Sequence, residues 1–296
     1  MRFGALEAGG TKMVLSIGNE NNEILEKVSI PTRDPEETIA EMNAWFADKG
    51  IAALGVGTFG PVELDEASPK YGWITTSPKL AWVDKPLLPL MQQALGVPAM
   101  IDTDVNAAAL AEYELGAAKG LKSCLYVTIG TGVGGGLIVE GNLVHGLMHP
   151  ELGHILLREE AGDPAPDGFC PYHIGCLEGL TCGPAIEKRW GISSKELAPD
   201  HPAWDLEARY LAQMCISAIC SFSPEKIILG GGVMQQKHLF PLIRRYVQER
   251  LNRYIGKSEI LEHIDEYIVE PGLGTASGAT GALLLAKKAY ERSLNA

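Results

Sequence analysis

A glycine-rich turn lies between two apolar runs in residues 123–139, whose sequence is SCLYVTIGTGVGGGLIV. The flanking runs, 123–129 and 136–139, predict two strands because they are short, apolar and rich in β-branched residues. The turn at 130–135 matches the dinucleotide-binding pattern G-x-G-x-x-G, but a Rossmann site requires a helix after the turn, and a strand follows here. The turn is therefore either a loop whose backbone N–H groups bind a phosphate or an ordinary tight hairpin.

The same arrangement occurs near the N-terminus, where the turn Ala-Gly-Gly-Thr-Lys at 8–12 separates apolar runs at 2–7 and 13–17. Two equivalent turns favour phosphate binding, and the hydroxyl groups of Thr11 and Thr131 add donors. Further strands are predicted over 23–30, 53–58, 99–102, 226–229 and 267–269, and helices over 35–49, 105–118, 204–222, 240–251 and 275–292. The repeated order predicts two related α/β domains, 1–118 and 119–275, with the helix at about 276–296 packing back on the first.

Composition excludes several classes of protein. The chain has 296 residues, with 25 Lys and Arg against 37 Asp and Glu, and the net charge of −12 argues against binding a nucleic-acid backbone. No apolar run reaches the roughly 18 residues of a membrane span, and the N-terminal residues do not resemble a signal peptide, so we expect a cytoplasmic protein. Six cysteines are too few for a disulfide scaffold. Glycine is the unusual residue, because the 34 glycines exceed the usual share of about 7%.

Two cysteines and two histidines have the spacing of metal ligands. Cys170, His173 and Cys176 occur at steps of three in a polar loop, and His154 lies 16 residues before the first of them. Four protein ligands of these types form closed tetrahedral zinc sites, which are structural rather than catalytic. The alternative is three loop residues and an unrelated core histidine. We favour a structural zinc ion in the loop 154–178.

Two further motifs are ambiguous when taken alone. Asp104 stands where a predicted strand passes into an alanine-rich helix. Its carboxylate could accept a proton from a substrate hydroxyl, or it could cap the helix, which is the commoner role of a lone aspartate there. Gly230, Gly231 and Gly232 follow an apolar strand. Without side chains they would let a flat ring or a phosphate lie on the backbone, or they form only a flexible turn.

Taken together, these motifs resemble those of the ROK family of sugar kinases, and in particular its bacterial fructokinase branch. The resemblance covers essentially the whole chain. Its motifs are Glu7-x-Gly9-Gly10-Thr11-Lys12, Thr131-Gly132-Val133-Gly134-Gly135-Gly136, Glu151-x-Gly153-His154 with the Cys/His loop, Cys176-Leu177-Glu178-Gly179, and Gly230-Gly231-Gly232-Val233. The family has the actin-like ATPase (ribonuclease H-like) fold. The resemblance therefore implies two related α/β domains with a cleft between them and a zinc-binding loop.

The resemblance also implies roles for particular residues. Asp104 would be the catalytic base. The residues that would hold ATP are Gly9, Gly10, Thr11, Lys12, Thr131, Gly132, Pro184, Gly230, Gly231, Gly232, Val233 and Met234. Those that would contact the sugar are Gly60, Pro61, Asn106, Glu151 and Glu178. The zinc ligands would be His154, Cys170, His173 and Cys176, and Glu7 would bind the Mg²⁺ of MgATP directly or through water.

The implied activity is ATP-dependent phosphorylation of a hexose, with D-fructose as the expected substrate and D-fructose 6-phosphate and ADP as products. A glucokinase, mannokinase or N-acetylhexosamine kinase of the same family is one alternative, and a sugar-sensing regulator without catalysis is another. An intact Asp104 and the absence of a DNA-binding arm before the first predicted strand favour the enzyme. A third alternative, a zinc-stabilised interaction module, does not explain the two phosphate turns. The resemblance also implies a homodimer.

Three positions depart from the family's common pattern. Glu7 replaces an aspartate, and its extra methylene group moves the carboxylate. Thr103 precedes the implied base where asparagine is frequent, and His173 takes a zinc-ligand position that is usually cysteine. The last two departures are typical of the fructokinase branch.

Overall fold

The predicted turn at 8–12 joins two antiparallel strands of a five-stranded sheet. These strands are β1 (Arg2–Ala8) and β2 (Lys12–Asn19), and β3 (Ile24–Pro31) pairs with the free side of β2. On the other side of β1, β4 (Leu54–Thr58) and then β5 (Ala99–Thr103) add in parallel, so the strand order is β3-β2-β1-β4-β5. The computed structural model describes residues 1–295.

Three helices accompany this sheet, and the first shows how local sequence defines them. They are α1 (Pro35–Ala47), α2 (Leu87–Leu95) and α3 (Asp104–Glu114). Helix α1 begins at a proline, and the side chain of Asp34 accepts the Glu36 N–H at 3.0 Å, which satisfies one of the exposed donors at the helix start. Met42 and Phe46 on its apolar face are fully buried in the core.

The turn at 130–132 joins the corresponding strands of a second sheet. The strands are β6 (Cys124–Ile129), β7 (Val133–Val139), β8 (Asn142–Leu143), β9 (Ile227–Gly230) and β10 (Ile268–Val269). Read from β8, the order β8-β7-β6-β9-β10 matches the first sheet position by position. The pairings match as well, because β6–β7 is antiparallel whereas β6–β9 and β9–β10 are parallel. The prediction of two related α/β halves is confirmed.

The predicted element limits need two corrections. Strand β7 begins at Val133 rather than at residue 136, because the glycines that follow Val133 form a regular antiparallel ladder with β6. Helix α3 ends at Glu114 instead of residue 118, just before Gly116. The remaining predicted helices end within two residues of their predicted limits.

The second sheet is accompanied by six helices, several of them too short to show a clear period in the sequence. They are α4 (Leu177–Thr181), α5 (Gly183–Trp190), α6 (Ala203–Phe222), α7 (Leu239–Leu251), α8 (Ser258–Leu261) and α9 (Ile264–Tyr267). The chain closes with α10 (Ser277–Leu294). No helix within residues 1–295 has the length and apolar character that crossing a bilayer requires.

The chain divides into two compact units. The first unit contains Met1–Glu112, Leu143–His149 and the residues from Thr275 onward, and the second contains Tyr113–Asn142 and Pro150–Gly274. The sequence pattern did not indicate that Leu143–His149 belongs to the first unit. The predicted limits 1–118 and 119–275 stay a prediction about independently folding domains.

Glycine allows α10 to pack directly against the backbone of its neighbours. A Cβ atom at Gly281 would lie 1.8 Å from the carbonyl oxygen of Ala107 in α3, and one at Gly55 in β4 would lie 1.9 Å from the carbonyl oxygen of Ala282. A Cβ at Gly278 would meet the carboxyl group of Glu7 at 2.6–2.9 Å. Gly281 therefore makes room for a backbone contact, and Gly278 makes room for a largely buried carboxyl group.

We expect Gly281→Ala to destabilise the first unit. The new methyl group would displace α10 from α3, and overpacking of this kind costs about 1–3 kcal/mol, more than alanine gains in helix propensity. The urea midpoint followed by tryptophan fluorescence and circular dichroism would measure the effect. Gly256→Ala is the matched control because a Cβ there meets nothing within 4 Å. A Gly281→Ala midpoint equal to that of the control would contradict the packing argument.

Candidate active site

The predicted sugar-binding and catalytic residues of the first unit follow two parallel strands at the same edge of the sheet. In the ladder between β4 and β5, Thr58 lies opposite Thr103. Gly60 and Pro61 follow β4 after one intervening residue, and Asp104 comes directly after β5. Because the carboxyl ends of parallel strands meet at one edge, these residues share the position where α/β proteins bind ligands.

The helix cap at the start of α3 is provided by Thr103 and not by Asp104. The Thr103 hydroxyl oxygen accepts the Asn106 N–H at 3.1 Å, which is the contact of an N-cap residue. Asp104 is the first residue of α3, its side chain is half-buried, and its Oδ1 accepts the Val105 N–H at 2.9 Å. Capping therefore does not account for Asp104, and its assignment as the base stays a prediction.

A buried cluster of polar side chains surrounds Asp102, the residue before Thr103. The Asp102 side chain is 7% exposed, and its Oδ1 accepts the Thr103 N–H and the Asn106 side-chain N–H, both at 2.7 Å. Nε2 of His145 lies 3.0 Å from the other carboxylate oxygen. Asn106 itself is 1% exposed, so its amide is directed at Asp102, and its predicted sugar contact stays a prediction.

A second histidine of the same segment is bonded to the turn after β4. His149 is buried, and its Nε2 accepts the Val62 N–H at 3.1 Å. A Cβ at Gly60 would lie 3.1 Å from the His149 ring. The sequence did not indicate either His145 or His149, because neither forms a local motif with the strand ends that it contacts.

The first phosphate turn is tied to β3 by the backbone. The Gly9 N–H donates to the Lys12 carbonyl at 3.0 Å, and the Thr32 hydroxyl donates to the Gly9 carbonyl at 2.8 Å. Thr11 and Lys12 are exposed and Gly10 is half-buried. Burial raises the pKa of Glu7, at the end of β1, and the nearby Lys27 and Lys12 oppose this shift. The turn therefore presents its threonine and lysine side chains to solvent above a largely buried carboxyl group.

The second phosphate turn is held by a carboxylate and by the start of a helix. Glu178 Oε2 accepts the Val133 N–H at 2.9 Å, and a Cβ at Gly132 would lie 2.6 Å from the same oxygen. The Gly183 N–H donates to the Gly130 carbonyl at 2.8 Å, which places Pro184 beside the turn. Thr131 at the tip of the turn is exposed.

The glycines after β9 lie beside this turn. A Cβ at Gly130 would be 3.8 Å from the Gly232 nitrogen, and Gly231 has a φ of +93° and closely approaches the Ile129 backbone. Val233 and Met234 are each 1% exposed. Their side chains belong to the core, so only their backbone could meet a ligand. The second unit thus brings together the residues around 131, 184 and 230–234 that the sequence predicts to hold ATP.

The carboxyl group of Glu151 has a raised pKa. Although the residue as a whole is exposed, burial of its carboxyl group and, as the smaller cause, the negative charge of Glu178 together raise its pKa to about 7. A like charge nearby disfavours ionisation of the Glu151 carboxyl group. The predicted pair of sugar-contacting carboxyl groups is therefore brought together within the second unit.

The predicted metal ligands converge at one point. The ligand atoms of His154, Cys170, His173 and Cys176 all lie within 4.8 Å of one another. Cys170 Sγ is 3.9 Å from His154 Nδ1 and 3.6 Å from His173 Nδ1, and Cys176 Sγ is 3.7 Å from His154 Nδ1. A tetrahedral zinc ion with ordinary bond lengths separates sulfur from nitrogen ligands by roughly 3.5 Å. The side chains present therefore fit a zinc ion.

The backbone and a buried ion pair shape this metal loop. Leu157 N–H donates to the Gly175 carbonyl, and Leu177 N–H donates to the Ile155 carbonyl, each at 2.9 Å. The Gly179 N–H donates to Cys176 Sγ at 3.4 Å, as N–H groups do around metal-bound thiolates. Further along the loop, Asp163 forms a fully buried ion pair with Arg189 of α5 at 2.9 Å. The loop is thus fixed at both of its ends.

Comparison with known proteins agrees with this geometry. The model of the ROK family matches residues 3–289. The fructokinase of Pediococcus pentosaceus is 43% identical over 293 residues, which span 99% of this chain and 100% of the relative. The fructokinase of Zymomonas mobilis is 40% identical over 299 residues, with 98% of each chain covered.

Among solved structures, a ROK family glucokinase from Streptomyces griseus, in complex with glucose and AMPPNP, is 26% identical with a TM-score of 0.79. The match covers 97% of this chain and 100% of that one. The family model and the relatives extend over nearly the whole sequence. The chain belongs to the ROK family.

We expect Glu178→Gln to lower the pKa of Glu151. The substitution removes the neighbouring negative charge but keeps the burial, which is the larger cause, so the pKa should fall from about 7 and stay above its ordinary value. Carboxyl-carbon NMR of glutamate-labelled protein across a pH titration would measure it. Glu187→Gln, at an exposed position on α5, is the control. A Glu151 pKa unchanged by Glu178→Gln would contradict the proximity of the two groups.

Proposed function

We propose that this chain is an ATP-dependent fructokinase, which converts D-fructose and ATP to D-fructose 6-phosphate and ADP. Relatives named fructokinase match it from end to end, at 43% and 40% identity. The observation that carries the proposal is the position of Asp104, which stands at the carboxyl edge of the first sheet while the neighbouring Thr103 caps the helix.

Asp104 acts as the general base. Its carboxylate accepts the proton of the sugar 6-hydroxyl while the oxygen of that hydroxyl attacks the γ-phosphorus of ATP in line with the departing ADP oxygen. One P–O bond forms, one breaks, and the proton remains on Asp104 until solvent removes it. The Asp102 cluster supports this role, because it fixes the first turn of α3 from below through Asn106.

Two backbone turns hold ATP. Gly9, Gly10, Thr11 and Lys12 form the first, and Thr131 and Gly132 form the second beside Pro184. The exposed hydroxyl groups of Thr11 and Thr131 and the backbone N–H groups of glycine supply donors where negative charge accumulates during transfer. The backbone of residues 230–234 carries the adenosine, since glycine leaves it uncovered and the two side chains that follow are buried.

The sugar is bound by the end of β4 and by two carboxyl groups. Gly60 and Pro61 line it at the end of β4, and Glu151 and Glu178 accept hydrogen bonds from its hydroxyl groups. Glu178 has a second task, because the same carboxylate accepts the Val133 N–H of the phosphate turn. Asn106 completes the set of sugar-contacting residues, and its side-chain N–H is held by Asp102.

The oxygen donors present fit Mg²⁺, which prefers carboxylate and phosphate oxygens. Glu7 would hold it, directly or through water, and Gly278 leaves space for its carboxyl group. When bound with ATP, Mg²⁺ offsets the charge of the phosphates. Zinc would be held by His154, Cys170, His173 and Cys176, and it would fix the segment that carries Glu151 and Glu178.

The domain limits and the assembly state complete the proposal. We assign residues 1–118, with the helix at 276–296, to one domain and residues 119–275 to the other. We also propose that the enzyme works as a homodimer in the cytoplasm. The packing of α10 against α3 and β4 supports the assignment of this helix to the first domain. Light scattering on purified protein measures whether it is a homodimer.

Substitution of the base tests the reaction. Asp104→Asn should lower kcat about 10²–10⁴-fold, the usual contribution of a general base, without weakening ATP binding. Coupled release of ADP measures kcat, and calorimetry measures ATP affinity. Asp48→Asn, at an exposed position after α1, should retain native kcat. An Asp104→Asn enzyme that keeps most of its kcat would exclude this base.

Metal removal tests the zinc site. Purified protein should contain about one zinc ion per chain, and Cys170→Ser should lose it, with a lower Tm and a raised KM for fructose because the segment from 154 to 178 loosens. Cys220→Ser, which changes an exposed cysteine outside the cluster, should keep the metal. Zinc well below one per chain in the native protein would overturn the site.

A further inference from the structure

A short segment of the first unit connects the ends of two neighbouring strands. Within Leu143–His149, Nε2 of His149 accepts the Val62 N–H after β4, and Nε2 of His145 lies 3.0 Å from Asp102 in β5. The segment therefore runs along the edge of the sheet where Asp104 also begins its helix. Nothing in the proposed function uses His145.

The Asp102 carboxylate determines which nitrogen of the His145 ring carries a proton. A carboxylate can only accept hydrogen bonds, so the Nε2 atom must donate. The same bond raises the pKa of His145, while partial burial opposes the shift. Because Asp102 also accepts from the Thr103 N–H and from the Asn106 side chain, its position is fixed by three donors, and the imidazole is held in one orientation.

The outward nitrogen of the ring, Nδ1, has no hydrogen-bond partner within the described residues 1–295. The His145 side chain is 40% exposed, whereas the Asp102 side chain beneath it is 7% exposed. The ring is therefore anchored on one side and open on the other. Compensation of the buried Asp102 carboxylate uses only the Nε2 atom of His145, so it does not account for the open Nδ1 side of the ring.

We propose that His145 is a hexose-contacting residue whose Nδ1 atom forms a hydrogen bond with a hydroxyl group of the sugar, with Asp102 and Asn106 as its positioning residues. The inference rests on the proposed kinase function. A hydroxyl group suits this site because it both donates and accepts, so it can pair with neutral or protonated imidazole. A fixed bond at this position distinguishes hexoses that present a hydroxyl group there from those that do not.

Two substitutions separate the sugar contact from the contact with Asp102. The amide of glutamine reaches the position of Nε2, so His145→Gln keeps the bond to Asp102 and loses the outward nitrogen. The shorter asparagine places its amide near the position of Nδ1, so His145→Asn keeps the outward group. If His145 only bonds Asp102, glutamine should preserve the KM for the sugar better than asparagine. If its Nδ1 atom contacts the sugar, asparagine should preserve that KM better.

The experiment measures KM and kcat for fructose, mannose and glucose, and KM for MgATP, in the native enzyme and the variants. His145→Gln should raise KM for fructose about 10-fold and change the ratio among the sugars, while KM for MgATP stays within about 2-fold. His145→Asn should recover part of this loss. His263→Ala, an exposed histidine of the second unit, is the control and should match the native enzyme.

The inference is overturned if His145→Gln keeps the native KM for every sugar, or if only kcat falls. Calorimetric titration of each hexose without ATP separates this result from failure of the proposed function. If the native chain binds a hexose but transfers no phosphate, the kinase proposal fails, and the affinity of His145→Gln for that hexose still decides the contact. If the native chain binds no hexose, both proposals fall.

Discussion

A buried carboxylate at the end of β5 is the constraint on which the first unit's site depends. Burying a charged group is costly unless hydrogen bonds compensate it, and Asp102 has three donors around it. Two of them, the Thr103 N–H and the Asn106 side chain, belong to the strand end and the first turn of α3. The position of that turn, and with it the side chain of Asp104, therefore follows from satisfying Asp102. The third donor is His145, so Asp102 also holds the segment Leu143–His149, which is distant from it in the sequence.

In the second unit, Glu178 has a comparable role. It stands two residues after Cys176, whose thiol belongs to the metal cluster, and its carboxylate accepts the Val133 N–H at the end of the glycine turn. Any change in the loop that moves α4 therefore also moves the phosphate turn. The raised pKa of Glu151 indicates that the two carboxyl groups share this region as well. A structural metal in the loop would thus hold in place both Glu178 and the glycine turn that it contacts.

The two glycine turns, the strands beside them and the Cys/His spacing could be predicted because each is a local pattern. The family resemblance then implied roles for Asp104 and Glu178, which residue types alone left open. Asp102, His145 and His149 could not be predicted, since their partners are separated from one another by up to 87 residues and leave no periodic signal. The start of β7 was missed for another reason. Glycine weakens strand propensity, yet its backbone forms the ladder with β6 as well as any other residue does.

The two sheets have the same topology, yet their equivalent ends have diverged. Strand β5 ends in Asp102 and Thr103 and passes without a loop into α3, whose first residue is Asp104. In contrast, β10, at the equivalent place, is two residues long and is followed by Glu270 and Pro271. A proline cannot continue the ladder, so the chain leaves the sheet there, and the next long helix, α10, joins the first unit instead. Its glycines then allow it to lie directly on α3. No helix continues directly from β10 as α3 continues from β5, and the long helix that comes next in the chain packs within the first unit, against α3.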